Sequence, residues 1–433
     1  MGGTHALLTP TIIAKEALRL LKNNLVMGSI VYRDYETEFP GMPKTGGSVQ
    51  IRKPVKFKVT KARVRVTSTI TEQWITLNVA TQAHVSWAFH SVDLTLTIEQ
   101  YSERYIRPAA AALANQVDAD LCGLYVDIAD QIYESTGFVT PHSFTILGRA
   151  MQKMDEGGVP PDERSIVFDP AAHWSMANAL SNWNFKEGGE AALRKGYLGK
   201  IANAALFMDQ NIKVHTVGVW ATGSVAMSSP ARFAVHTTAD SVSGAGLPSG
   251  NAVNVSQNQN ILLEGINCST GANEGLKAGD TFTIAGCFAV NPMSGESTGT
   301  LRSFVVTTHA TPSISTTANP TQVYFYPDMI HTGPYKTVDT IPQLGGAVQI
   351  MGVPGEPYPQ NMAFHKNAFA LCMVPLAVPD GVWSGSASED GYSIRIVKDY
   401  DVKEDDEIVR LDILYGVKTI YPEMAVRIMG AQG

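Results

Sequence analysis

The sequence has no run of about 18 apolar residues, the length a membrane-crossing helix needs, so no span is read in it. The nearest approach, residues 367–379 (NAFALCMVPLAVP), is too short and holds two prolines; it reads as a buried core strand. Cysteine is scarce, with Cys122, Cys268, Cys287 and Cys372 widely spaced and no CxxC pair. That argues for reduced, buried thiols and a cytosolic folding compartment over a disulfide framework or zinc site. Cys268 and Cys287 are still near enough in sequence to be bridged. An excess of basic residues is missing too: the net charge is −7, which argues against a chain built mainly to grip nucleic acid. Met1–Pro10 lacks the basic-then-apolar pattern of a signal peptide, and Ala6 stands where myristoylation wants Ser or Thr.

Catalytic and cofactor signatures are equally thin. HExxH, P-loop and GxGxxG patterns are absent, and no cofactor or metal is expected. His84 and His90 fall on one face of a strand without zinc spacing. Lys403–Glu407 (KEDDE) lacks the alternation and central glycine of a calcium loop, and reads as a solvated turn between strands at 394–397 and 408–414. Residues 295–299 (GESTG) match GxSxG, but a nucleophile elbow needs a strand before the serine and a helix after it. Both flanks here look like strands, so Ser297 is expected on a hairpin loop, and a serine hydrolase remains only a remote alternative.

What is present is long-range pattern in a chain of 433 residues, 44% of them hydrophobic, enough for roughly three structural units at about 150 residues each. Thr9 can cap a helix with Pro10 in its first turn. Ile13, Ala17, Leu20, Leu21 and Leu25 then keep helical spacing, and Gly28 is expected to stop it. That apolar face needs a cover, from its own subunit or from a neighbour.

From Gly47, alternation in Val49/Ile51, Val55/Phe57/Val59 and Leu94/Leu96/Ile98 has the two-residue period of strands. Between Gly47 and Thr71 lie seven bases, Arg52, Lys53, Lys56, Lys58, Lys61, Arg63 and Arg65, and no acid. A long ribbon of two strands is marginal alone in water, so it wants a partner surface. Only Phe57 interrupts the run as an aromatic, too few for a base-stacking groove.

A helical pattern follows from about Glu99 to Tyr133, with Pro108 bending it or marking its start. From Ala109 to Tyr133 it would be about 38 Å long. Residues 142–217 alternate between α and β: a helix at 144–154, a strand at 165–168, then a helix opened by Asp169 and Pro170. Residues 218–335 carry only nine charged side chains, about 8% against 17% for the chain, and with short strand signals read as an inserted all-β domain, a small barrel. The fold class is α+β.

In this order, SVQIRKPVKF (48–57), SVDLTLTIEQYSERYIRPAAAALANQVDADL (91–121), GYLGKIANAALFMDQNI (196–212), GLKAGDTFTIAGCFAVNP (275–292), NMAFHKNAFALCMVPLAVP (361–379) and VRLDILYGVKTIYPEMAVRI (409–428) resemble the major capsid (coat) proteins of tailed double-stranded-DNA bacteriophages, in particular the short-tailed-phage subfamily with an inserted β-barrel domain. The resemblance implies a tailed-phage major-capsid fold. It would divide into an N-terminal helical arm (1–46), an extended β-loop (47–95), a spine helix with the first part of a peripheral domain (96–160) and the first part of an axial domain (161–217). The inserted β-barrel domain (218–337), the second part of the axial domain (338–382) and the C-terminal, β-rich part of the peripheral domain (383–433) would follow. It also implies a virion protein assembled in the host cytoplasm, forming pentamers and hexamers of an icosahedral shell. Its partners would be itself, a scaffolding protein, a portal protein and non-specifically held DNA on the inner face, with no membrane. The Lys–Asn cross-link of some relatives is not carried over. An encapsulin-type compartment subunit is the alternative with the same fold.

Charge adds one expectation. Residues 380–412 hold ten acids against four bases, whereas the ribbon tip is wholly basic. The seven ribbon bases are therefore expected to face Glu404, Asp405, Asp406 and Glu407, or nearby acids, of a neighbouring subunit.

Overall fold

The computed structural model describes residues 10–34, 47–55, 57, 61, 63–64, 73–90, 102–134, 140–181, 199–219, 234–235, 260–264, 275–310, 321–342, 346–379, 381–401 and 406–430. They fall into two compact units, each discontinuous in sequence. One gathers Met1–Ile51, Ile75–Cys122 and Phe369–Ile420; the other gathers Arg52–Trp74, Gly123–Ala368 and Tyr421–Gly433.

The first unit is built on an antiparallel sheet of five strands. Its centre is the long strand Asp406–Thr419, which pairs with Phe369–Met373, with Tyr392–Asp401 and with Thr81–His90; Trp383–Glu389 adds to the outer side of Tyr392–Asp401. Alternate residues Ile394, Ile396, Val409, Leu411 and Ile413 are buried, the period of a sheet with one covered face. Helix α1 (Pro10–Asn24) lies on this sheet and on helix α3 (Arg107–Cys122), burying Ala14, Ala17, Leu18, Leu20 and Leu21. The arm's apolar face is thus covered by its own unit. Close approach is possible because Gly385 faces the helix start, where a β-carbon would sit 2.7 Å from Pro10.

Two expectations are corrected here. Gly28 does not end the first helix: α1 stops at Asn24, and Gly28 lies inside a separate turn, α2 (Met27–Ile30). Its amide donates to Asp118 Oδ1 at 2.8 Å while the Val26 amide donates to Oδ2 at 2.7 Å. The spine is also shorter than its pattern. A π-helical turn (Ser102–Ile106) leads into α3 at Arg107, as Pro108 foretold, and α3 ends at Cys122, about 24 Å on. Gly123 begins a 3₁₀ turn to Asp127, and Ile132 sits in the strand Gln131–Tyr133. Apolar spacing of three and four continued past the glycine, but those residues are buried by different neighbours. Thr81–His90, within the stretch expected as the extended loop, pairs along its whole length with Asp406–Thr419.

The second unit holds two larger sheets. One is mixed, in the order Gln131–Tyr133, Ala425–Met429, Asn361–His365, Arg164–Phe168, Ala204–Met208, Lys200–Ile201, with two parallel pairings. Helices α4 (Phe144–Glu156) and α5 (Pro170–Ser181) pack on it, with Ile146, Leu147, Met154, Ile166, Phe168, Met176, Val426 and Ile428 in the core. The other sheet is antiparallel, in the order Val348–Ile350, Thr281–Val290, Ser297–Val306, Thr321–Tyr326, Asn260–Glu264, Ala234–Val235. It has a core of its own around Phe282, Phe304 and Phe325, whose ring centroids lie 5.3–6.0 Å apart. All of its strands but Val348–Ile350 fall within the charge-poor residues 218–335. Among the described strands the order is linear, so the expected barrel closure is not among these pairings, and the edge strand Val348–Ile350 lies beyond residue 337. Cys287 is a free thiol buried in this core, its pKa pushed up to about 12 by that burial. Cys268 lies outside the described residues.

Candidate subunit-contact surface

The basic ribbon begins as a sheet of two strands, Ser48–Lys53 and Gln73–Asn78. Ile51, Leu77 and Val79 are buried at its base, and the Val79 amide donates to the Gly47 carbonyl at 2.6 Å. Exposure then rises along the ribbon. Arg52, Lys61 and Arg63 are exposed, while Lys53 is half-buried with Nζ 5.1 Å from the centroid of the Tyr421 ring, a cation–π contact. Lys56, Lys58 and Arg65 lie outside the described residues. Among the bases stand apolar side chains that charge counting overlooked: Phe57 is 68% exposed, Val64 78% and Trp74 60%. Such groups cost free energy in water unless another surface covers them. Only the alternation of the ribbon could have revealed them, since it puts apolar residues on a strand pair with too little body to bury them.

The acidic segment is a hairpin, as expected: Tyr392–Asp401 and Asp406–Thr419 run antiparallel with Asp401 opposite Asp406 and Tyr400 opposite Glu407. Glu404 and Asp405 lie outside the described residues; on the other side of the strand, Asp406 is opposite His90 and Glu407 opposite Phe89. Several acids counted in this region are already engaged within the unit. Asp412, fully buried, accepts from Arg395 Nη2 at 2.7 Å and Arg410 Nε at 2.6 Å. Burial alone would raise its pKa, but the hydrogen bonds from Arg395 and Arg410 outweigh burial and hold it below the usual carboxylate value. Asp390 binds Lys22 Nζ at 2.5 Å, and Glu389 lies 3.9 Å from the same ammonium. The acid surplus available to a partner is therefore narrower than the count of ten.

Ser297 opens the second strand of the hairpin Thr281–Val290/Ser297–Val306. The turn is closed by Asn291 N donating to Glu296 O and Gly295 N to Asn291 O, and exposed Ser297 Oγ accepts from its near neighbour Gly299 N at 3.3 Å. A strand follows where an elbow needs a helix, so the hydrolase alternative has no structural basis. Among the described residues no group of three or more His, Cys, Asp or Glu side chains is arranged to hold a metal ion.

Residues 4–430 match the family described as "P22 coat protein - gene protein 5". A stretch of 162 residues is 27% identical to the major capsid protein of Acyrthosiphon pisum secondary endosymbiont phage 1, covering 36% of this chain and 38% of that protein. The match thus spans well under half of that relative. Among solved structures, one titled "Mycobacterium phage Che8" aligns over 93% of this chain and 90% of its own at 13% identity and a TM-score of 0.45. Another, "Capsid of Ralstonia phage GP4", aligns over 89% and 84% at 9% identity and a TM-score of 0.41. With the family match running almost from end to end, the chain belongs to the P22 coat protein family, a family of structural proteins and not of enzymes.

Proposed function

We propose that this chain is the major shell subunit of a short-tailed bacteriophage. Copies associate as pentamers and hexamers and close into an icosahedral shell around double-stranded DNA, with a scaffolding protein guiding assembly and a portal at one vertex. Assembly takes place in the host cytoplasm, and the mature protein resides in the virion. The observation that carries this reading is the family match over residues 4–430. The ribbon supports it: bases and exposed Phe57, Val64 and Trp74 share a projection with little body of its own, the composition of a surface that another copy covers. A ribbon laid on a different patch of its neighbour is a heterologous contact, the kind that closes into rings and shells. The 218–337 region acts in this reading as an inserted domain that stabilises the subunit and touches neighbouring capsomers.

Light scattering and negative-stain microscopy on the full chain, expressed alone and with its scaffolding partner, test this directly. Capsomer-sized rings or closed shells are expected in at least one condition. A chain that stays monomeric in both is not a shell subunit.

A further inference from the structure

Two apolar cores share the second unit, and a layer of buried polar side chains lies where the antiparallel sheet is rooted. Asp280 stands at its centre, 2% exposed. Its Oδ1 lies 2.8 Å from His215 Nε2, its Oδ2 accepts from the Gly218 amide at 3.1 Å, and Oδ2 also accepts from the Lys277 amide at 2.7 Å. His215 and Gly218 lie where the chain departs toward the antiparallel sheet, and Lys277 and Asp280 form the turn that opens that sheet's strand Thr281–Val290. One carboxylate therefore joins the departing segment to the turn at the foot of that strand. His215 Nδ1 lies 3.1 Å from the Tyr125 hydroxyl, so the ring bridges the carboxylate and the tyrosine. Fully buried Arg427 closes the layer: Nη1 donates to the Gly279 carbonyl at 2.8 Å, and its guanidinium carbon is 5.8 Å from the Tyr125 ring centroid. Two glycines make room for it. A β-carbon on Gly279, at φ +98°, would sit 3.1 Å from the His215 ring, and one on Gly218 would sit 2.8 Å from Asp280 Oδ2.

We propose that Asp280, held by His215 and Tyr125, is a positioning residue that locks the antiparallel sheet at one orientation on the rest of its unit, and that uniform shell size depends on this lock. This rests on the shell-subunit reading. The physical ground is directionality. Apolar contact alone is non-directional and tolerates a rotated or slid docking. A carboxylate on the sheet's side whose donors include His215 and Gly218 of the departing segment is satisfied in one arrangement only, and any other leaves buried polar atoms unpaired. A shell multiplies the consequence, because a sheet that sits at variable angles presents each neighbour with a different contact.

The test uses full-length Asp280→Asn, His215→Gln and Tyr125→Phe. Asn at 280 turns a donor toward amides that need an acceptor; Tyr125→Phe removes one hydroxyl and leaves the packing, so it should fold if Asp280→Asn does not. Two readouts are taken: hydrogen exchange at the Gly218 and Lys277 amides, with Phe369–Met373 as an internal control, and the particle-diameter distribution after assembly. Expected is exchange about 10- to 100-fold faster at those amides with the control unchanged, and more than one shell diameter where the parent chain gives one. Parent-like exchange in Asp280→Asn or, should it not fold, in His215→Gln overturns the lock; faster exchange with a single parent-like diameter overturns its link to shell size. A parent chain that forms no particle overturns the shell reading instead, while exchange still decides whether Asp280 fastens the sheet.

Discussion

At the scale of single residues, buried charge in this chain is handled in two opposite ways. Asp412 keeps its charge because two arginines reach it, and its depressed pKa adds stability that is present above the ordinary carboxylate range and lost as pH falls through the folded-state value. Asp328 is the reverse. Its Oδ1 is buried without a hydrogen-bond partner, and burial raises its pKa from 3.8 to about 7. Between those values the folded chain holds a proton that the unfolded chain has released, so this group makes stability fall as pH rises through that window. Asp328→Asn should therefore stabilise the chain at pH 8 by about 1–3 kcal/mol and have almost no effect near pH 4. Urea unfolding at the two pH values measures this, and an equal difference at both would show that charge burial is not the cause. Neither behaviour was legible in the sequence, where Asp412 and Asp328 are acids like any other and their partners or lack of them depend on strands folded together.

Among elements, the junction of α1, α2 and α3 shows why the helical arm has a definite seat. Asp118 lies on the buried face of α3, where an apolar residue would fit the helical stripe, and instead accepts the amides of Val26 and Gly28. Tyr392 from the sheet donates its hydroxyl to the Gly28 carbonyl at 2.9 Å, so both backbone groups of Gly28 are engaged. Removing the carboxylate leaves two amides without it in the interior, a loss of about 2–4 kcal/mol. Asp118→Ala should lower the unfolding free energy of the unassembled chain by that amount in a urea titration; a change under about 0.5 kcal/mol would mean the arm is held by its apolar face alone. The arm helix itself, the α4 and α5 helices, the core strand at Phe369–Met373 and the acidic hairpin could all be read from spacing and caps. The end of α3 could not, since Gly123 interrupts a stripe whose later members are apolar for the sake of other neighbours.

For the molecule as a whole, the proposed shell would make the ribbon and the acidic hairpin surfaces whose use depends on other copies. Single exposed ion pairs contribute only about 0–1 kcal/mol, so any effect between them must come from repetition around each ring. Reversing charge at Lys56 and Lys58 together is expected to impair assembly at low salt while leaving the unfolding midpoint of the monomer within about 0.5 kcal/mol of the parent. Sedimentation of assembly products against salt measures the first and denaturant unfolding the second. Normal assembly of the reversed chain at both low and high salt would exclude the pairing of ribbon bases with Glu404, Asp405, Asp406 and Glu407. The exposed Trp74, Phe57 and Val64 would then be the groups that hold the contact.

What this sequence determined by itself is what local pattern can carry: the two-residue period of the ribbon and sheets, the helical arm, the charge-poor β region, the lack of catalytic spacing, and the ordered set of stretches that resembles a coat protein. Tertiary structure decided which faces meet. It put the arm's apolar face on its own sheet, drew Thr81–His90 into that sheet, engaged Asp412, Asp390 and Glu389 within one unit, and gathered Tyr125, His215, Asp280 and Arg427 from four separated stretches. The reason is range. Propensity and periodicity act over a few neighbouring residues, whereas the partner of a buried polar group is chosen by whatever chain arrives beside it, here 90 residues away for Asp118 and Gly28 and 65 for His215 and Asp280.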